Sequence, residues 1–225
     1  MLLPKYIKRK TEILKIKVFL VSNLEYNICI TLDWERSVYM NELLRNGLMR
    51  RNSRNFDTKQ ISDSELTDII EAGKFVSNMI NNQEWNFTII QNVEILNKIN
   101  ELCSKLFFQN GKEKLELLYN EENLNFLFNA PTLIIISGKT DDEETQNAAH
   151  ATFGNMMLVA DKMGIGACWN YSLKCMFDTE EGKLLAADLG IKNGYVPMSV
   201  GVFGYKTTRS TIHSLSKENL VQIIK

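Results

Sequence analysis

The sequence has little of what metal and acid–base sites are usually made from. Its 225 residues include two histidines, His150 and His213, and four cysteines, Cys29, Cys103, Cys168 and Cys175, far apart and with no C-x-x-C pair. That spacing argues against a zinc site and against a disulfide framework, and a reduced cytoplasmic compartment follows as the expectation. Long apolar runs are missing too. The most apolar early stretch, Val18 to Leu24, is short and leads into Glu25 and Asn27 without a small-residue cleavage pattern, so neither a signal peptide nor a membrane span is expected. Positive charge is not in surplus either: the net charge of -1 disfavours a general nucleic-acid binder, whose affinity rests on accumulated cations. No catalytic histidine, cysteine or carboxylate pair stands out.

A hydrophobic content of 44% is enough for one sizeable core. The most informative polar stretch is Arg50-Arg51-Asn52-Ser53-Arg54-Asn55-Phe56, where three arginines and two short hydrogen-bonding side chains make a compact fork of donors suited to a phosphate. An ordinary solvated basic turn has the same composition. Residues 1–39 form a separate block, basic through Lys5, Lys8, Arg9, Lys10, Lys15 and Lys17, with room for one or two strands around Ile16–Val21 and Ile28–Ile30. This block is expected to be dispensable, and its start is open to being an upstream reading of the gene.

From Met40 the pattern alternates helices and strands. Leu43, Leu44 and Leu48 predict a helix leading to the arginines, and Ser62 with Glu65 predicts a capping box opening another. A polar loop is expected over Ser77–Asn82, then a strand through Phe87–Ile90 and a long helix through Val93, Leu96, Ile99, Leu102 and Leu106. The charged 110–129 segment is read as helical pieces and a loop. Thr132–Ile136, apolar on both faces, reads as a central strand. A helix rich in small residues follows from Asn147 to Met163, stopped by Gly164. Asp178 and Glu181 suggest a further capped helix stopped at Gly190, Val200–Phe203 a strand, and Val221–Ile224 a last short one. The pair Gly164-Ile165-Gly166 is no dinucleotide fingerprint, because Trp169 stands at the third glycine position. The arrangement is α+β rather than a regular βαβ winding.

Four segments in this order resemble the FMN-dependent nitroreductase family, over roughly Met40 to Lys225. Residues 50–56 resemble its R-R-S-x-R-x-F, and Asn81-Asn82-Gln83-Glu84-Trp85-Asn86-Phe87 resembles its N-x-Q-P-W-x-F. Ala130-Pro131-Thr132 with the strand after it matches a third element. Gly154-Asn155-Met156-Met157-Leu158 running to Gly164-Ile165-Gly166-Ala167-Cys168-Trp169 matches the fourth.

The resemblance implies a nitroreductase-like α+β sandwich, a central mainly antiparallel sheet flanked by helices, in a cytoplasmic homodimer whose two FMN sites are built by both chains. It gives Arg50, Arg51, Asn52 and Arg54 to the flavin phosphate and ribityl chain, with Arg54 also a candidate to stabilise the reduced ring. Ser77, Asn78 and Asn81 match the loop usually contributed by the partner, and the backbone near Tyr171 and Ser172 would lie by the flavin N5 edge. Relatives commonly carry an Arg-Lys pair before a terminal strand. Aligning 221–225 with that strand leaves Lys217 as the kept lysine, with Lys206 and Arg209 as competitors. NADH or NADPH would visit the open flavin face transiently, so the missing fingerprint fits.

The sequence departs from the family pattern at Asn52 (usually serine), Ser77 and Glu84 (usually proline), Asn147 (often aspartate) and Tyr171 (often small). The expected activity is hydride transfer from NAD(P)H through flavin to a nitroaromatic, quinone or similar acceptor. A degenerate flavin-binding protein for storage or sensing is the alternative, and a scaffold using the basic first block is a third. Cys168 reads as a buried small hydrophobe, Trp85 and Trp169 as core aromatics first, His150 as a packed or surface histidine, and Met156, Met157 and Met198 as core filling.

Overall fold

Thr132 to Gly138 is buried at every position, and the molecule is layered around it. The computed structural model describes residues 42–76, 85–109, 125–139, 143–208 and 222–224. The chain divides into two units, Met1–Leu48 and Met49–Lys225. In the first, the described residues are 42–48, which belong to helix α1 (Glu42–Met49), as the leucine spacing predicts. The possible strands of the 1–39 block lie outside the described residues.

The second unit runs α2 (Asp63–Lys74), β1 (Trp85–Ile90), α3 (Val93–Gln109), β2 (Thr132–Gly138), α4 (Glu143–Lys162), β3 (Ile165–Trp169), α5 (Tyr171–Phe177), α6 (Glu180–Asp188) and β4 (Val196–Tyr205). The four strands pair antiparallel in the order β1-β2-β4-β3. Successive side chains of a strand point to opposite faces, so an interior strand covered on both sides must be apolar throughout. That is the reason for Leu133-Ile134-Ile135-Ile136. Leu133, Ile135, Val200 and Val202 pack with Leu96, Ile99, Leu173 and Phe177 of α3 and α5. Ile134, Ile136 and Phe203 pack on the other face with Ile69 of α2 and Ala149, Phe153 and Met156 of α4. Helices therefore cover both faces of one sheet.

Glycines on the neighbouring elements let α4 lie close. A Cβ on Gly201 of β4 would meet the Phe153 ring at 2.1 Å, and one on Gly73 of α2 would meet Met156 Sδ at 2.9 Å. α2 opens with the capping box read from sequence, Ser62 accepting from Glu65 N while Glu65 Oε2 accepts from Ser62 N at 2.9 Å. Gly164 (φ 81°) and Gly190 (φ 76°) end their helices in the left-handed region, as expected.

Three readings change. The cap of α6 is Thr179, whose hydroxyl accepts from Gly182 N at 3.1 Å, and not Asp178, which instead closes α5. Ile165–Trp169 is a strand and Tyr171–Phe177 a helix, neither of which the periodicity revealed. Residues 222–224 are in no strand, and Ile223 and Ile224 are exposed. The Ser77–Asn82 loop and most of the 110–129 segment lie outside the described residues.

Candidate functional site

Gly166 of β3 and Gly204 of β4 are direct partners across the sheet, and the arginine segment lies against the pair. A Cβ on Gly166 would come within 2.7 Å of Ser53 Oγ and 2.8 Å of Lys206 Cγ, and one on Gly204 within 3.1 Å of Phe56 Cδ1. Only glycine leaves room for side chains at such a distance. Ser53 N donates to Ala167 O at 2.9 Å and Asp57 N to Tyr205 O at 2.9 Å, while Phe56 and Lys206 form an isolated antiparallel bridge. The arginines are thus mounted on the edge of the sheet rather than carried on a free turn.

This mounting divides the motif into anchor and donors. Ser53 and Phe56 are buried, Arg50 and Arg51 half-buried, and Asn52 and Arg54 exposed. Arg51 Nη1 donates to Arg50 O at 2.7 Å. Of the five buried polar side-chain atoms without a hydrogen-bond partner among the described residues, two are in this segment, Arg50 Nη1 and Ser53 Oγ; the others are the hydroxyls of Ser137, Thr152 and Ser199. A buried guanidinium nitrogen left unpaired is costly, and an anion would satisfy it. The ammonium of Lys206 runs beside this place but pairs with Asp161 of α4 at 2.5 Å, both side chains mostly buried.

The far end of β3 carries the other predicted residues. Three residues beyond Gly166, about 10 Å along a strand, Trp169 lies half-exposed with its ring centroid 4.8 Å from that of His150. Burial is the main influence on His150 and lowers its pKa, so the ring is neutral near pH 7. Asn170 then caps α5. It is buried, its Oδ1 accepts from Leu173 N at 3.2 Å, its Nδ2 donates to Phe126 O at 2.6 Å, and its own N donates to Val200 O at 2.9 Å. That triple attachment fixes where Tyr171, exposed, and Ser172, half-buried, sit in the first turn. Ser77, Asn78, Asn81 and Lys217 lie outside the described residues, as does Arg209.

Cys168, between the two ends, is not a nucleophile. Burial pushes its thiol up to about 11 despite the opposing charges of Arg54 and Arg50. Burial likewise raises Cys103 to about 12. Among the described residues no group of three or more His, Cys, Asp or Glu side chains could hold a metal, and no helix is long and apolar enough to cross a membrane.

The sequence reading counted Ser53 among the donors without its docking on β3, and it missed Asn170. Ser53 occupies the variable position of the motif, and only the two glycines far along the chain could have pointed to its docking.

A profile of the nitroreductase family matches residues 48–205, from just before the arginines to the end of β4. The chain belongs to the nitroreductase family. It is 30% identical over 166 residues, 74% of this chain and 86% of the relative, to an Archaeoglobus fulgidus protein whose name assigns it as an NADH dehydrogenase/NAD(P)H nitroreductase. Among solved structures it is similar to a nitroreductase with bound FMN from Bacteroides fragilis, with 26% identity, a TM-score of 0.74, and coverage of 83% of this chain and 100% of that one. A second FMN-bound nitroreductase, from Desulfitobacterium hafniense, shares the fold at 19% identity, with a TM-score of 0.76 and coverage of 82% and 100%. The nitroreductase fold thus accounts for the antiparallel sheet with helices on both faces.

Proposed function

We propose that this nitroreductase is an NAD(P)H-dependent FMN oxidoreductase that passes a hydride to a nitroaromatic, quinone or similar acceptor. The observation that carries the reading is the pair of buried, unpartnered donors of the arginine segment, Arg50 Nη1 and Ser53 Oγ, the latter packed against Gly166 of β3. The flavin phosphate supplies the acceptor oxygens these donors lack. The residues present fit the group.

In this reading Arg50 holds the phosphate from the buried side while Arg51, Asn52 and Arg54 approach from the exposed side, and Lys217 adds a point charge. The spacing along β3 supports a phosphate near Gly166 and a ring near Trp169. Tyr171 and Ser172 present their backbone to the ring edge, held there by Asn170. Bound FMN supplies the chemistry itself, accepting a hydride at N5 and handing electrons on, so no side chain has to move a proton. The half-exposed Trp169 and exposed Tyr171 make a rim where a planar acceptor can stack. Ser77, Asn78 and Asn81 are assigned to a second copy of the chain, so the working form is a homodimer in the cytoplasm.

Purified protein should be yellow. Its flavin absorbance should bleach when NADH or NADPH is added without oxygen and return when menadione or a nitroaromatic is added. Colour without bleaching would favour a storage or sensing role, and a colourless protein that takes up no FMN would sink the reading.

A further inference from the structure

The nicotinamide preference has a structural candidate outside the flavin seat. At the C-terminal end of α5 an open groove of about 440 Å³ is formed with α6 and the 189–197 connection, a size ordinary for a small-molecule site. Its wall carries Lys174, Lys183 and Lys192 against one carboxylate, Asp178, together with the ring of Tyr195 and the side chain of Asn193. With Glu180 paired to Lys183 and Asp178 to Lys174, one positive charge is left over, that of Lys192, in a chain of net charge -1.

Lys183 and Lys192 are held only by exposed contacts, unlike Lys174. Lys183 pairs at 2.7 Å with Glu180, both well exposed, and such pairs contribute little and exchange readily. Lys192 sits 5.6 Å from the Tyr195 ring centroid, where it can turn to an anion without leaving a buried partner unpaired. Lys174 is held by both oxygens of Asp178 at 2.7 and 3.0 Å.

The groove is tied to the proposed flavin edge through α5. That helix has seven residues and so spans about 10 Å, with Tyr171 in its first turn and Phe177 and Asp178 at the groove. Lys174 lies between them, and its charge acts on both Tyr171 and His150. The two halves of a nicotinamide dinucleotide are separated on the same scale.

Resting on the flavin reading above, we propose that this groove receives the adenosine half of the nicotinamide co-substrate, that Lys183 and Lys192 grip its 2′-phosphate, and that the protein therefore prefers NADPH to NADH. The 2′-phosphate carries a charge of roughly -1.5 to -2 at neutral pH. The adenine lies against Tyr195, and the dinucleotide runs along α5 to bring its nicotinamide to Trp169 and Tyr171.

Calorimetric titration of the full-length, FMN-loaded protein with adenosine 2′,5′-bisphosphate and with AMP tests this directly, since neither probe contains nicotinamide. The bisphosphate should bind about tenfold more tightly than AMP, and the advantage should disappear in Lys183→Ala/Lys192→Ala and survive in Lys192→Arg. The kcat/KM for NADPH should fall about tenfold in the double variant while that for NADH is unchanged. Equal binding of the two probes, an unaffected double variant, or equal loss for both co-substrates would overturn the groove assignment. In a protein that still bleaches with NADH, such a result leaves the flavin reading intact. A protein that binds the bisphosphate through these lysines yet takes up no FMN would overturn the flavin reading and the dinucleotide assignment with it.

Discussion

Gly166 and Gly204 face each other across β3 and β4 where side chains from other segments press in too closely for a Cβ. Both residues are visible in the sequence, but the reasons for them are distant contacts, Ser53 against Gly166 and Pro131 and Phe56 against Gly204. A local reading can reject Gly164-Ile165-Gly166 as a dinucleotide fingerprint without discovering what Gly166 is for. The arginines were legible because charge and spacing carry the chemistry. Ser53 was not, since its role comes from what it docks against. Gly166→Ala should push Ser53 and the arginine segment off β3, as the added Cβ would stand 2.7 Å from Ser53 Oγ. Flavin affinity is expected to fall about tenfold with the circular dichroism spectrum unchanged, measured by quenching of FMN fluorescence. Undiminished affinity would show that the segment tolerates the shift and that the seat does not set the site.

At the scale of elements, helices with amphipathic spacing and the uniformly apolar β2 were read correctly, because burial on one face or two imprints a period. β3 and α5 were not. Five residues containing a close-approach glycine, followed by a seven-residue helix, are too short to establish a period, and their placement rests on Asn170, a single buried cap with long-range partners. The start of α2 shows the opposite case, a local signal that also has a tertiary partner. Glu65 accepts from Ser62 N and, at 2.7 Å, from the hydroxyl of Tyr205, so one carboxylate joins the cap of α2 to the end of β4 beside the arginine seat. The Ser62 side-chain hydrogen bond, followed by that of Tyr205, holds Glu65 below its usual 4.5. A carboxylate depressed in the folded state stabilises fully above its unfolded value and loses that contribution as pH falls through the folded one. Glu65→Gln should therefore lower Tm at pH 7, with the gap to wild type closing as pH drops below about 4.5. A gap constant with pH would mean the carboxylate charge plays no part.

For the whole molecule, the family match begins at residue 48 and the second contact unit at Met49. Both boundaries lie beyond the compositional block 1–39, whose dispensability a truncation tests. A chain beginning at Met40 should keep flavin content and oligomeric state, and precipitation or loss of FMN would make the block part of the folding unit. The shared-site reading has a further consequence at this scale. If Arg50 and Arg54 of one copy and Asn81 of the other hold each flavin, dilution that separates the copies must release FMN. Sedimentation showing monomers that retain FMN would contradict it.

If a phosphate completes the buried donors of the arginine segment, comparing FMN with riboflavin isolates it. The measurement is the dissociation constant of each flavin for wild type and for Arg50→Ala. Loss of a charge-assisted hydrogen bond costs about 1.5–3 kcal/mol, so Arg50→Ala should weaken FMN by roughly ten- to a hundredfold and leave riboflavin nearly unchanged. Equal weakening of both flavins, or of neither, would contradict the account.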